Sequence, residues 1–166
     1  MKLAKRILLI APMLFSCVGC DQITKNIARQ NLANSGPVTF LNDIFRLQYA
    51  ENPGAFLSLG AGSPESIRFW IFTFIVGAFL AGMLIYLLVS PNNSKAQITA
   101  LSLVLAGGVG NLIDRIFNQG RVIDFMNVGV GSLRTGVFNV ADIAISIGVI
   151  WLCVISFKVL KNTPAI

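Results

Sequence analysis

The chain has 166 residues, of which 55% are hydrophobic and 12% are charged, and its formal net charge is +6. Soluble domains carry about 25% charged residues, so this composition excludes an ordinary soluble domain and indicates a membrane protein. The sequence contains no histidine, which excludes Ser-His-Asp and Cys-His catalysis and the HExxH zinc helix. Its basic residues are not interleaved with aromatic residues, so we expect no nucleic-acid partner.

The first apolar segment has two interpretations. It follows the basic start MKLAKR and ends in SCVGC, like a bacterial lipoprotein leader that is cleaved before its cysteine. Cleavage before Cys20 would leave a lipid-anchored protein with three spans and no enzymatic role. If the helix instead continues past Cys20, Asp21 and Lys25 lie four residues apart on one face. The added turn also brings the segment towards the roughly 20 residues that a membrane helix needs, so we predict a retained span over about 7–25.

An insert of residues 26–68 follows the first predicted span. Within it, the stretch FRLQY alternates, with Phe45, Leu47 and Tyr49 on one face and polar side chains on the other. Glycine and proline at both ends of this stretch indicate turns. We predict a small β-structured region that rests at the membrane surface.

Three further apolar segments complete the predicted architecture. They run over about 69–89, 97–115 and 137–157. The short segments on one side of the four spans contain basic residues and no acidic residue; they are 1–6, 90–96 and 158–166. Cytoplasmic loops carry such an excess of Lys and Arg. The sequence therefore predicts an all-α polytopic membrane protein, a single membrane domain over 1–166 with four transmembrane helices, cytoplasmic termini and an extracytoplasmic 26–68 insert.

Two aspartates stand in apolar surroundings. Asp142 lies near the start of the last segment, and Asp124 lies between Ile123 and Phe125. Two carboxyl groups held close together share one proton, so the neutral one donates a hydrogen bond while the charged one activates a water. This is aspartic-protease chemistry. Two alternatives remain open at this point: an aspartate that only stabilises a helix start, and a small proton-coupled transporter that uses both acids as a relay.

A second polar group ends the third segment in GGVGNLIDR. Its glycines allow close helix packing, and Asn111, Asp114 and Arg115 lie within about one helical turn. Asp114 and Arg115 could hold the end of the helix as an ion pair or take part directly in the chemistry, and both roles remain open. Asn139 lies three residues before Asp142, so the two share a helical face.

Five motifs together resemble the lipoprotein signal peptidases, also called type II signal peptidases. They are DQITK at 21–25, ENPGAF at 51–56, GGVGNLIDR at 107–115, VIDF at 122–125 and FNVADIAISIG at 138–148. They occur in the family's order over nearly the whole chain, and four spans is the family's architecture. The resemblance implies an aspartic endopeptidase of the bacterial cytoplasmic (inner) membrane, with Asp124 and Asp142 as catalytic pair at the outer face. It would remove the signal peptide from diacylglyceryl-modified prolipoproteins, cleaving on the amino side of the lipidated cysteine.

The resemblance also assigns residues that bind substrate or support the site. These are Asp21, Lys25, Asn52, Gly54, Asn111, Asp114, Arg115, Asn139 and Ala141. One departure is visible, because many members have two alanines where this chain has Ala55-Phe56. No metal and no cofactor are implied, and we expect prolipoprotein substrates and membrane lipid as the partners of a monomer. The proton-coupled transporter remains the alternative and predicts flux without peptide cleavage.

Overall fold

The computed structural model describes residues 2–54, 60, 62–91 and 93–162, with side chains up to residue 158. The helices and strands are α1 (Leu3–Leu32), β1 (Val38–Phe40), β2 (Phe45–Asn52), α2 (Glu65–Phe69), a π-helical turn (Trp70–Ile75), α3 (Val76–Val89), α4 (Lys95–Phe117), β3 (Val122–Val130), β4 (Leu133–Arg134) and α5 (Val140–Asn162). The departure from the family at Ala55 and Phe56 lies outside the described residues.

The predicted fold class is confirmed. Within the described part of the chain, four helices are long and apolar enough to cross a membrane: Leu3–Leu32, Glu65–Val89, Lys95–Phe117 and Val140–Lys158. The first extends beyond the predicted 7–25 span at both ends. As predicted, it continues through Cys20 and carries Asp21 and Lys25, which lie in its second half. A π-helical turn joins α2 to α3, so the second span begins at Glu65 and is not a uniform α-helix.

The antiparallel sheet combines two distant parts of the chain. Its strand order is β1-β2-β3-β4, so the β-structure predicted for the 26–68 insert is joined by strands that lie between the last two spans. β2 pairs with β3 in a register that sets Ala50 opposite Asp124. The pairing therefore places one candidate catalytic residue on a strand that the insert holds in position.

Helix α4 occupies the centre of the bundle and contacts α1, α3 and α5. Its approach to α5 requires glycine at two levels. A Cβ atom at Gly107 would overlap the carbonyl oxygen of Ala141, and one at Gly148 would lie 2.6 Å from the carbonyl oxygen of Ala100. Small residues of this kind let membrane helices pack closely, and here they bring the polar end of α4 against the start of α5.

At the opposite end of the bundle, the basic start of α1 closes the core. The buried Arg6 donates from Nη1 to the carbonyl oxygen of Leu87, at 2.8 Å. The last carbonyl groups of a helix have no partner within the helix and carry partial negative charge, so a cation is favourable there. The apolar core lies between this end and the site, and its buried members are Ile10, Leu80, Leu87, Ile98 and Leu105.

Candidate active site

Two carboxylates meet where β3 approaches the start of α5. Asp124 accepts hydrogen bonds from Asn139 Nδ2 at 2.7 Å and from Asn52 Nδ2 at 3.1 Å. Asp142 accepts from Asn111 Nδ2 at 2.9 Å and from the backbone N–H of Asn139 at 3.1 Å. Asn139 thus binds both carboxylates, and each receives one further amide donor.

Asn139 is also the residue that starts α5. Its side-chain oxygen accepts from the backbone N–H of Asp142 at 2.9 Å, while Asp142 accepts from the backbone N–H of Asn139. This reciprocal pair has the form of a capping box. The side-chain nitrogen of Asn139 also lies 3.1 Å from Asn111 Oδ1 and 3.3 Å from the carbonyl oxygen of Ile123. Asn139 is fully buried. The device that begins the helix therefore also fixes the geometry of the acidic pair.

The environment of Asp124 favours its protonated form. Burial raises the pKa of Asp124 to about 7, and the negative charge of Asp142 acts in the same direction, while the hydrogen bonds from Asn52 and Asn139 oppose the shift. Desolvation disfavours a charged carboxylate, and a like charge nearby adds to that effect. Near neutral pH, Asp124 can therefore hold a proton beside a second carboxyl group.

A buried ion network lies behind the pair. Lys25 Nζ is 2.8 Å from Asp21 Oδ2, 2.9 Å from Asp114 Oδ2 and 2.9 Å from Asn111 Oδ1. An ammonium group has three donors, so all of them are used. The side chains of Lys25, Asp21 and Asp114 are at most 4% exposed. Buried charges of this kind are stable only when they are paired and hydrogen-bonded.

The two carboxylates of this network hold the backbone beside each candidate catalytic residue. Asp114 Oδ2 accepts from the N–H of Ile123 at 2.9 Å, one residue before Asp124. Asp21 Oδ1 accepts from the N–H of Ala141 at 2.8 Å, one residue before Asp142. Because Lys25 joins both carboxylates, the network fixes the separation between β3 and α5. Ala141 contributes through its backbone.

Arg115 connects the helices to the insert. Its Nη2 donates to the carbonyl oxygen of Gly54 at 2.9 Å, and its guanidinium carbon lies 5.6 Å from the ring centre of Phe72. The backbone N–H of Gly54 in turn donates to Asn52 Oδ1 at 2.9 Å. Arg115 is buried, and its Nε has no hydrogen-bond partner among the described residues. The insert therefore reaches the acidic pair through Asn52 and is tied to α4 through Arg115.

A cavity of about 310 Å³ opens in front of both carboxylates. Its polar lining includes Asn52, Asn111, Arg115, Asp124 and Asp142. Its apolar wall runs down one face of α5, along Ile143, Ile147 and Ile150. A second cavity of about 280 Å³ reaches Asp142 and Arg115 from the side of the π-helical turn, where Phe72 and Val76 line it. A peptide with a long apolar part fits this shape, since polar groups converge at one end and apolar surface continues below.

The site contains residues that the sequence did not single out. Gln22 Nε2 donates to Asp114 Oδ1 at 2.9 Å and to the carbonyl oxygen of Gly110 at 3.1 Å. Its position inside DQITK was the available signal. Phe72 reaches Arg115 from the π-helical turn, and no sequence pattern indicated that contact. The residues that the sequence did predict all lie in this one cluster, either at the acidic pair, in the Lys25 network or at the Asn52–Gly54 contact.

Comparison with known proteins identifies relatives over most of the chain. Residues 13–158 match the family described as signal peptidase (SPase) II. A lipoprotein signal peptidase from Syntrophus aciditrophicus (strain SB) is 37% identical over 134 residues, which are 81% of this chain and 83% of the relative. One from Chlorobium phaeovibrioides (strain DSM 265 / 1930) is 33% identical over 162 residues, 92% of each chain.

The fold is also shared with solved structures described as bacterial membrane enzymes. One of them, at 2.3 Å resolution, has a TM-score of 0.78 and 23% identity, and the match covers 98% of this chain and 93% of that one. Another, at 1.9 Å resolution, has a TM-score of 0.70 and 26% identity, and the match covers 96% and 95%.

Proposed function

The chain belongs to the signal peptidase II family, and from that premise we propose that Asp124 and Asp142 are its catalytic pair. It is a multi-pass bacterial membrane protein and an aspartic peptidase of lipoprotein processing. Neither the family nor the relatives favour a transporter. The observation that carries the assignment of the pair is the shared hydrogen bonding of both carboxylates to Asn139.

The proposed reaction uses one ionised and one protonated carboxyl group. Ionised Asp142 takes a proton from a water molecule, whose oxygen attacks the carbonyl carbon of the scissile peptide bond. Asp124, whose pKa is raised to about 7, donates its proton to the carbonyl oxygen as the tetrahedral intermediate forms. When the intermediate collapses, the carbon–nitrogen bond breaks as Asp142 returns its proton to the amine, and one hydroxyl group of the intermediate returns a proton to Asp124, which restores the pair. The products are a leader with a new carboxylate and a mature protein with a free α-amine.

The amides around the pair hold both carboxyl groups in place. Asn111 and Asn139 donate to Asp142, and Asn52 and Asn139 donate to Asp124. Arg115 and Asn52 border the same cavity, and Arg115 binds the carbonyl oxygen of Gly54. We assign Asn52, Gly54 and Arg115 to substrate polar groups, and Asp21, Lys25 and Asp114 to support of the pair.

The natural substrate in this proposal is a prolipoprotein that carries diacylglyceryl on the cysteine after the scissile bond. The apolar wall along α5 supports it, because an acyl or leader segment would remain in hydrocarbon while the peptide bond meets the polar end. The same proposal sets the pair at the outer face and both termini in the cytoplasm, since Arg6 and Lys95 lie at the other end of the bundle. The proposal takes a monomer as the active unit and a retained α1, whose Asp21 and Lys25 belong to the network behind the pair.

The test is cleavage of a defined substrate by the purified protein in detergent. A prolipoprotein with diacylglyceryl on its cysteine is expected to lose the mass of its leader, and the products are identified by mass spectrometry. The same prolipoprotein without the lipid is the matched control and is expected to be cleaved far more slowly. An intact lipidated substrate after prolonged incubation with folded protein would refute the proposal.

A further inference from the structure

An extended segment forms the wall of the larger cavity beside Asp142. Residues 135–138 run antiparallel to β3, where Phe138 exchanges two backbone hydrogen bonds with Met126, both of 2.8 Å. Successive residues of an extended segment direct their N–H and C=O groups to opposite sides, so those of Val137 face away from β3. Within the described ranges neither group of Val137 has a hydrogen-bond partner, and Val137 lines the cavity.

A second polar group of the same cavity is also unused. Ser146 lies four residues after Asp142 on α5 and lines both cavities beside it. A serine within a helix commonly donates to the carbonyl oxygen four residues earlier, as Ser102 and Ser156 do at 2.7 Å and 3.0 Å. In the part of the chain that the structure describes, no such bond is formed by Ser146. Its hydroxyl is therefore available to a molecule in the cavity.

A peptide substrate needs polar partners at this depth. Carboxylates can reach a peptide bond only where the substrate backbone is extended, because a helix keeps its peptide groups hydrogen-bonded along its own axis. An extended backbone in an apolar environment has unpaired N–H and C=O groups, which are costly to bury. The side chains of Ile143, Ile147 and Ile150 offer no hydrogen-bond partner. The backbone of Val137 and the hydroxyl of Ser146 are therefore the groups placed to pair with the substrate's N–H and C=O groups.

We propose that the leader residues next to the scissile bond bind in the larger cavity as a short added strand, pairing with the backbone of Val137 and with the hydroxyl of Ser146. This rests on the proposed peptidase function. Asp142 and Ser146 are separated by about 6 Å along the helix axis, at about 1.5 Å per residue. An extended strand advances about 3.3 Å per residue. Ser146 therefore lies beside the leader backbone about two residues from the scissile bond.

Backbone methylation of the substrate tests the strand directly. Synthetic diacylglyceryl lipopeptides are made with one leader amide N-methylated at a time, omitting the scissile amide, and kcat/KM is measured for each. A strand paired at one edge predicts a loss of at least about tenfold at one amide, with both neighbouring amides tolerated. Equal losses at consecutive amides, or no loss at any amide, would overturn the proposal. If wild-type protein does not cleave even the unmethylated lipopeptide, the peptidase function itself fails.

Matched serine variants test the second contact. Ser146→Ala is expected to lower kcat/KM about fivefold, which is the effect of one neutral hydrogen bond, and to leave the thermal unfolding temperature unchanged. Ser156→Ala removes a hydroxyl from the same helix without touching the cavity and is expected to cleave at the wild-type rate. Equal rates for Ser146→Ala and wild type would remove Ser146 from the proposed strand site.

Discussion

Replacing Asp124 with asparagine removes a carboxyl group whose pKa is about 7 in the folded protein, against an ordinary value of 3.8. A carboxyl group with a raised pKa binds its proton more tightly in the folded state than in the unfolded state. Its contribution to stability is therefore fully present below pH 3.8 and is lost as the pH rises through 7. At about 1.4 kcal/mol for each tenfold difference in proton affinity, the loss amounts to about 4 kcal/mol, of which about 3 kcal/mol falls between pH 5 and pH 9.

The assay is thermal unfolding in detergent between pH 5 and pH 9. The unfolding temperature of wild-type protein is expected to fall as the pH rises through about 7, whereas that of Asp124→Asn lacks this fall because an amide does not titrate. Asp43→Asn is the control. Arg46 holds the pKa of the exposed Asp43 carboxyl below its usual range, so this group stays ionised throughout and the control should follow wild type.

A single result would refute the reasoning about Asp124. If wild type and Asp124→Asn show the same dependence of unfolding temperature on pH between 6 and 8, Asp124 does not titrate near pH 7. The assignment of the resting proton to Asp124 would then be wrong, whatever the effect of the substitution on cleavage.

Two further substitutions test the surroundings of the pair. Asn139→Ala removes the side-chain cap of α5 and the amide donor to Asp124, while the backbone N–H that binds Asp142 remains. We therefore expect a loss of about 1–2 kcal/mol in stability and an upward shift in the basic limb of the pH–rate profile, because the lost hydrogen bond lowers the pKa of Asp124. An unchanged limb would show that this amide does not tune Asp124. Lys25→Met leaves two buried carboxylates without their cation and should destabilise the protein by about 3–5 kcal/mol, measured by thermal unfolding. Arg29→Met, an exposed change on the same helix, should have little effect, and equal losses in both variants would contradict a buried network.

Hydropathy and charge predicted the helices because the bilayer itself sets their length and composition. They could not predict β3. Its residues from Val122 to Phe125 are buried, so the strand lacks the alternation of a half-exposed strand, and its partner β2 lies some 75 residues earlier in the chain. The π-helical turn was missed for a related reason, since WIFTFI has the composition of any apolar helix.

The site was predictable where neighbours in sequence share a helical face. Asp21 and Lys25 are four residues apart, which brings their side chains together on α1, and the structure joins them at 2.8 Å. The approach of Asp114 to the same ammonium depends on how α1 packs against α4, and no local spacing contains that information. The motif resemblance placed both residues at the site but did not pair them. The sequence did not single out Ser146 or Val137, because only the folded structure shows whether a hydroxyl or a backbone group has a hydrogen-bond partner.

Cleavage rates of the two aspartate variants test the central claim most directly. Wild type, Asp124→Asn, Asp142→Asn and the control Asp43→Asn are compared at equal amounts of folded protein, with the diacylglyceryl-modified prolipoprotein as substrate. We expect both variants of the pair to insert, fold and bind substrate, yet to release no leader, while Asp43→Asn cleaves at the wild-type rate. Wild-type cleavage by either Asp124→Asn or Asp142→Asn would contradict the assignment of the catalytic pair.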